Sequence, residues 1–438
     1  MKSFQIVRSV SACIAGITLF SGMAFAQQPM TNITRGWAND MLQVVGSDIR
    51  KNYYDPKFHG LDWDAKIAQT KLQIDKSTSM DMALSYIAAA VDSLNDSHTL
   101  FYPPERNKES DFGFTFQIIG PDRCYVTHVR PHSDAEAKGM KPGDEVLTVN
   151  GYLVDRTNRW KMDYMFSVLR PQSSLRMQVQ MPTDGSSKEV QVNAKVTSRK
   201  NPRDLSWSWL RELDEERHSM QARVMELGDD LMIMKLPYFE YTNSQIGSMI
   251  GRARKHRTLI LDLRGNPGGA VETVNDVVGA LFEKDVKIAD RVTRKESKPW
   301  IAKSQHIVFT GKLIVLVDSD SASGSELLAR VVQLEKRGIV MGDHTSGSVM
   351  EAKLHENQIG GDFLMFYEES ITEANLIMTD GSSLEHVGVK PDEEIIPTAQ
   401  DLANGRDPVL AKAAELAGVK LTPEDAGKMF PYEWTDVQ

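Results

Sequence analysis

Leu313-Ile314-Val315-Leu316-Val317-Asp318-Ser319-Asp320-Ser321-Ala322-Ser323-Gly324-Ser325-Glu326 is the stretch on which the reading of this chain turns. Its apolar half, Leu313 to Val317, suits a strand buried on both faces, and the small polar residues after it lead straight into the amphipathic run Ser325 to Leu334. A serine at such a strand-to-helix junction has its hydroxyl at the positive end of the helix dipole, with room beside it for another backbone. Ser323 therefore stands where an acyl-transfer nucleophile is useful. A serine-rich loop here is also an ordinary N-cap, so the motif alone is weak.

A second stretch of the same shape is Leu261-Asp262-Leu263-Arg264-Gly265-Asn266-Pro267-Gly268-Gly269. Adjacent glycines let backbone N–H groups converge on a developing oxyanion. A phosphate-cradling loop is the competing reading, but the Lys-Ser/Thr ending of a P-loop is absent. Around these two motifs, apolar runs at Leu231 to Met234, Leu259 to Leu263 and Ile339 to Met341 alternate with amphipathic stretches at Ser244 to Arg254 and Val271 to Phe282. That alternation predicts an α/β core with helices packed on a sheet.

Upstream the pattern changes. Trp37, Met41, Val44, Val45, Ile49, Met82, Ile87 and Val91 recur at helical spacing and predict a small helical domain. Between Asp111 and Lys200, alternating residues such as Tyr125, Thr127 and Val129, or Met177, Val179 and Met181, predict short strands with turns at Pro142-Gly143 and Asn150-Gly151. This part, with Phe112-Gly113-Phe114 ahead of it, resembles a PDZ domain of the bacterial protease type. The resemblance implies that Phe112, Gly113 and Phe114 form a peptide-binding loop and strand, with backbone N–H groups facing a substrate's terminal carboxylate.

Composition narrows the class. The net charge of −9 with Lys and Arg dispersed excludes the basic face of a nucleic-acid binder. Lys2 and Arg8, the apolar run Val10 to Phe20 and Ala24-Phe25-Ala26 read as an export signal cleaved after Ala26, too short and interrupted to span a bilayer. The expected location is periplasmic or secreted, with no stable membrane span after cleavage. Cys124 is then the sole thiol, so no internal disulfide is possible. No His-Glu-x-x-His or paired-cysteine pattern occurs, so neither a catalytic metal nor a cofactor is indicated, and nothing specifies an oligomeric state.

Together the two motifs resemble the S41 family of serine peptidases, which includes the carboxyl-terminal processing proteases and the tricorn core. The resemblance extends to Gly388-Val389-x-Pro391-Asp392 near the end of the chain. It implies an α+β multidomain protein: signal peptide 1–26, helical domain 27–107, PDZ-like module 108–200 and an α/β, ClpP/crotonase-like peptidase core 201–438. It also implies protein or peptide substrates held by their carboxyl-terminal tails. By carry-over Ser323 is the nucleophile, and Gly324 with Gly268 or Gly269 supplies the oxyanion donors.

One departure matters. Processing proteases carry a catalytic lysine in a turn where this chain has Thr345-Ser346-Gly347-Ser348-Val349, and Ser348 cannot replace it as a base. Ser97-His98 resembles the Ser-His pair of the tricorn-type site, with Glu385 as the matching carboxylate. Imidazole suits the task because its ordinary pKa lies near operating pH. The expected tetrad is thus Ser323, His98, Ser97 and Glu385. Glu351 is another carboxylate to weigh, and His344 and Lys353 are other bases. The missing lysine also leaves open a catalytically inactive S41-like binding or scaffold protein, comparable to the retinoid-binding relatives of the fold.

Overall fold

The structure is a computed structural model and describes residues 30–104, 108–182, 185–198, 221–360 and 364–434. The export segment expected at Met1–Ala26 and residues 201–220 of the expected core lie outside these.

The core is built on a six-stranded sheet in the order Arg223–Leu227, Leu231–Lys235, Thr258–Asp262, Lys312–Val317, Ile339–Gly342, Glu393–Glu394. All neighbours are parallel except the first pair. Successive side chains point to opposite faces. On one face Met232, Met234, Leu259, Leu261, Val315 and Val317 pack beneath the helices Asn243–Ala253, Val271–Gly279 and Gly324–Leu334. On the other, Leu231, Ile233, Ile260, Ile314, Leu316 and Met341 meet the helix Pro408–Leu416. Burial on both faces is why these strands read as unbroken apolar runs, and each large aliphatic side chain so buried contributes roughly 1.5–3 kcal/mol.

A second, antiparallel sheet was not legible in the sequence. The long strands Met350–Gly360 and Leu364–Met378 pair along their length, and the second of them also pairs with Val286–Thr293 and with Leu100–Tyr102. The amino-terminal helices Asn32–Asn52, Trp63–Asp75 and Met80–Asp92 are N-capped by Thr31, Asp62 and Ser79. They bury Met41, Val45, Ile49, Ile87 and Val91 in a cluster completed by Tyr367 and Ile371 of the long hairpin. The helical unit is therefore closed by the core. The strand Leu100–Tyr102 fixes the junction in register, with Leu100 opposite Ser370 and Tyr102 opposite Glu368.

The PDZ-like module follows the predicted strands, in the order Phe114–Ile119, Arg123–Val129, Glu145–Val149, Ser174–Gln180, Ser187–Asn193. Phe114–Ile119 is an edge strand. The turn Asn150-Gly151 has both residues in the left-handed region (φ 51° and 86°), as a tight hairpin requires. A helix at Arg159–Asp163 running on into a π-helical turn at Tyr164–Leu169 had no counterpart in the sequence reading. The strand entering the module, Lys108–Asp111, pairs antiparallel with the strand leaving it, Lys195–Ser198. Cys124 is buried in the module. Among the described residues no helix is long and apolar enough to cross a membrane.

At the carboxyl end of the strand Thr258–Asp262 lies a buried ion network. Asp262 is fully buried and accepts from Arg264 Nη2 (2.8 Å), which also donates to Asp407, the N-cap of Pro408–Leu416 (2.8 Å). Burial alone would raise the Asp262 carboxyl, but Arg264 and Lys235 hold it well below the ordinary carboxylate range. Removing one partner strands the other in a low-dielectric site. Arg264→Met should therefore cost about 3–5 kcal/mol of unfolding free energy, read from urea denaturation; a loss below about 1 kcal/mol, as for an exposed pair, contradicts the assignment.

Candidate active site

Ser323 is the N-cap of Gly324–Leu334 and sits at φ 52°, ψ −112°, a strained backbone for a residue with a Cβ. Its amide donates to Ser348 O (2.9 Å) and to Glu326 Oε2 (3.0 Å), which turns the N–H away from the cleft and the hydroxyl towards it. Glu326 is fully buried and gathers the neighbouring turn as well, accepting from Thr345 Oγ1 (2.5 Å), Gly347 N (2.8 Å) and Ser348 N (2.9 Å). Burial pushes its carboxyl up to about 7, against the pull of these donors. Glu326 was not singled out in the sequence, although Ser323-x-x-Glu326 has capping-box spacing.

The glycine turn lies directly against Ser323. A Cβ on Gly268 would stand 2.7 Å from Ser323 Cβ and 3.0 Å from Gly324 N, so only glycine permits this approach. Asn266, fully buried, binds the two loops together: its carbonyl accepts from Ala322 N (3.0 Å) and Ser325 Oγ (3.0 Å), and its Oδ1 accepts from Gly268 N (2.8 Å). The Gly268 amide is thereby committed, which corrects its expected place as an oxyanion donor. Among the described residues the amides of Gly269 and Gly324 have no acceptor, the latter because it opens a helix. Gly268 contributes space.

From the helical unit, the loop after Met80–Asp92 brings in Ser97 and His98. Asp96 shapes this loop, accepting from His98 N (3.0 Å), Thr99 N (2.6 Å), Thr99 Oγ1 (2.8 Å) and Thr372 Oγ1 (2.9 Å). His98 Nε2 lies 3.4 Å from Ser323 Oγ, and His98 Nδ1 lies 2.7 Å from Ser97 Oγ. Ser97 Oγ donates to Glu385 Oε2 (2.9 Å) and Ser97 N to Glu385 Oε1 (2.7 Å), while Val349 N also donates to Oε2 (2.8 Å). A hydroxyl has one proton and a carboxylate only accepts. With Ser97 donating to Glu385, its oxygen accepts Nδ1–H, and the lone pair of His98 Nε2 is left facing Ser323. Burial lowers the His98 pKa from its ordinary value; Glu385 and Asp96 oppose the shift.

All four residues of the expected tetrad thus meet, and the alternatives do not. Glu351 is engaged by Arg291 (2.6 Å from Nε). Lys353 is exposed on the long hairpin. The His344 ring lies against Gly388, where a Cβ would be 2.8 Å from its Cε1, and its Nδ1 is 3.1 Å from Thr345 O. Among the described residues no group of three or more His, Cys, Asp or Glu is placed to hold a metal ion.

Phe112, Gly113 and Phe114 lie apart from this cleft, in the PDZ-like module. Gly113 has φ 71° and its amide donates to Asp111 Oδ1 (2.8 Å), so the loop already holds a carboxylate of its own chain. The phenylalanine rings stand edge to face, 6.5 Å apart. The far end of the same strand touches the Ser323 loop: Gln117 Nε2 donates to Asp318 Oδ2 (2.7 Å) and Ser319 Oγ to Ile118 O. Asp318 Oδ1 in turn accepts from Gly265 N of the glycine turn (2.9 Å).

Residues 230–395 match the family model described as peptidase family S41, and residues 104–181 match that of the PDZ domain. Residues 230–395 therefore carry an S41 peptidase domain. Among curated S41 relatives, "Carboxyl-terminal-processing peptidase 3, chloroplastic" of Arabidopsis thaliana is 24% identical over 365 residues, covering 78% of this chain and 66% of its own length. "Carboxy-terminal processing protease CtpA" of Bacillus subtilis is 22% identical over 404 residues, covering 89% of this chain and 76% of its own. The crystal structure of mature CPAF shares the fold, with a TM-score of 0.64 at 13% identity over 85% of this chain and 95% of that one. The family model and the names of the curated relatives support a serine-type peptidase and not the inactive alternative.

Here the turn Thr345–Val349, where the processing proteases carry their lysine, is held beside Ser323 by the bond from Ser323 N to Ser348 O and by the Glu326 carboxylate, which accepts from Thr345 Oγ1, Gly347 N and Ser348 N. Gly268→Ala should displace the Ser323 hydroxyl and slow its labelling by a fluorophosphonate about 100-fold, with the circular dichroism spectrum unchanged. Labelling at the wild-type rate would show that the glycine turn does not bear on Ser323.

Proposed function

We propose that this protein is an exported endopeptidase that cleaves protein substrates towards their carboxyl-terminal ends through a Ser-His-Ser-Glu site. Ser323 Oγ attacks the scissile carbonyl as its proton passes to His98 Nε2. The oxyanion of the tetrahedral intermediate faces the Gly324 and Gly269 amides. His98 then gives that proton to the departing amine, leaving an acyl-enzyme on Ser323. Water, deprotonated by the same imidazole, attacks the ester, and collapse of the second intermediate releases the new carboxyl terminus and reprotonates Ser323. Glu385 holds the Ser97 hydroxyl, and Ser97 holds the imidazole in the tautomer that this sequence requires.

The observation that carries the reading is the unbroken chain of contacts from Glu385 through Ser97 and His98 to Ser323. The 3.4 Å from imidazole to hydroxyl is typical of a site without substrate, where such contacts are long. Export is supported by the sequence of Met1–Ala26. Cleavage near a substrate's end is supported by the names of the relatives and by the place of Phe114–Ile119 at the edge of its sheet, where an extended tail could add as a strand once the contacts of Arg159 to Phe116 O and of Ser319 to Ile118 O give way. A terminal carboxylate entering the Gly113 loop has to displace the Asp111 side chain.

A fluorophosphonate should label Ser323, and Ser323→Ala and His98→Ala should each cut turnover of an unfolded protein by about 10⁴-fold or more without loss of fold, while Lys353→Ala stays near wild type. A base must be neutral to accept a proton, and the His98 pKa is lowered, so the acid limb of labelling should have its midpoint below the ordinary imidazole value of 6.5. A folded wild-type protein that neither labels nor cleaves while still binding tail peptides would establish the inactive alternative.

A further inference from the structure

We propose that His386 is a positioning residue that staples the loop Asn95–His98 to the loop Ser383–Gly388 and so keeps Glu385 in reach of Ser97; this rests on the reading of Ser323, His98, Ser97 and Glu385 as the catalytic set. His386 Nε2 lies 2.9 Å from Asn95 O. A carbonyl only accepts, so Nε2 carries the hydrogen. The same nitrogen is 3.5 Å from Glu385 Oε1, the oxygen that accepts the Ser97 amide at 2.7 Å. At its backbone, His386 N donates to Gly347 O (2.8 Å), in the turn that Glu326 holds beside Ser323. One residue therefore ties the loops of Ser97 and Glu385 to the turn that lies beside Ser323.

Backbone geometry points the same way. Asn95 and His386, the two ends of the staple, both occupy the left-handed region, at φ 55° and 59°. Phe58 and His59, at φ 49° and 54°, line the same recess together with Tyr54, Asn95, Glu385 and His386. Side chains rarely adopt this conformation, and such strain persists only where surrounding contacts over-determine it. The His386 side chain is 53% exposed. An exposed hydrogen bond adds little to folding. A role confined to the surface would leave both stability and catalysis untouched, whereas a staple leaves stability alone and changes the geometry on which proton transfer depends.

The test compares wild type with His386→Phe, His386→Ala and His386→Gln, the last of which keeps an N–H donor of similar reach. Wild-type labelling of Ser323 comes first, because its absence would overturn the peptidase reading itself. Given labelling, the Phe and Ala variants should lose about 10-fold in kcat with KM within about twofold and the thermal midpoint within a few degrees, and Gln should recover most of the loss. Since Glu385 opposes the lowering of the His98 pKa, a Glu385 that drifts from Ser97 should also move the acid limb of labelling to lower pH in the Phe and Ala variants. Wild-type kcat and an unmoved acid limb in either variant overturn the proposal. So does a Gln variant as slow as Phe. If Phe fails to fold, Ala and Gln decide.

Discussion

The site depends on one contact between distant parts of the chain, the pair of hydrogen bonds by which Ser97 grips Glu385 across a separation of 288 residues. No local preference can create it. What does so is the short strand Leu100–Tyr102, which leaves the Ser97-His98 loop and at once pairs with the long strand Leu364–Met378. Thr372 of that strand binds Asp96 directly, and the end of the same strand leads to the Glu385 loop. The helices, by burying Tyr367 and Ile371 in their own core, hold this ladder shut. Packing far from the cleft thus sets a hydrogen bond within it.

A lysine and a histidine solve the base problem differently. A lysine must be desolvated to lose its proton near neutral pH, whereas imidazole begins close to that condition and needs orientation more than a large pKa change. Here burial and two carboxylates act on His98 in opposite senses, and Ser97 fixes its tautomer. The turn that would otherwise present a lysine is retained as scaffolding, held by three of the four hydrogen bonds that Glu326 accepts, the fourth coming from Ser323 N. Glu326 therefore supports the helix start and the adjacent turn whichever base the chain uses.

Much of this was legible beforehand, for reasons that differ by element. The parallel strands stood out because burial on both faces leaves unbroken apolar runs, and their observed limits lie within a residue or two of the predicted ones. The PDZ-like turns were legible through glycine and asparagine. The antiparallel sheet was not, because Glu351, Lys353, Glu356, Glu368 and Glu369 interrupt its hairpin with charge; Glu369 is nonetheless buried, held by Asn357. In the site, Ser323 and the glycine turn announced themselves by local pattern, whereas His98 and Glu385 came from family resemblance, since spacing along a chain does not reveal a contact across it. Asn266 and the choice between Gly268 and Gly269 required atoms, because they turn on which amide already has an acceptor.

The pairing of Lys108–Asp111 with Lys195–Ser198 has an architectural consequence. Chain entering and chain leaving the module run side by side at the spacing of neighbouring strands, about 4.8 Å. In the path of the backbone the module is a cassette inserted through one two-pronged stem, so its length can change between the prongs without breaking the continuity of the catalytic body. In space it is anchored a second time, by Gln117 on Asp318, Ser319 on Ile118 O and Gly120 N on Asp343, so whatever occupies the cassette bears on the loop that carries the nucleophile.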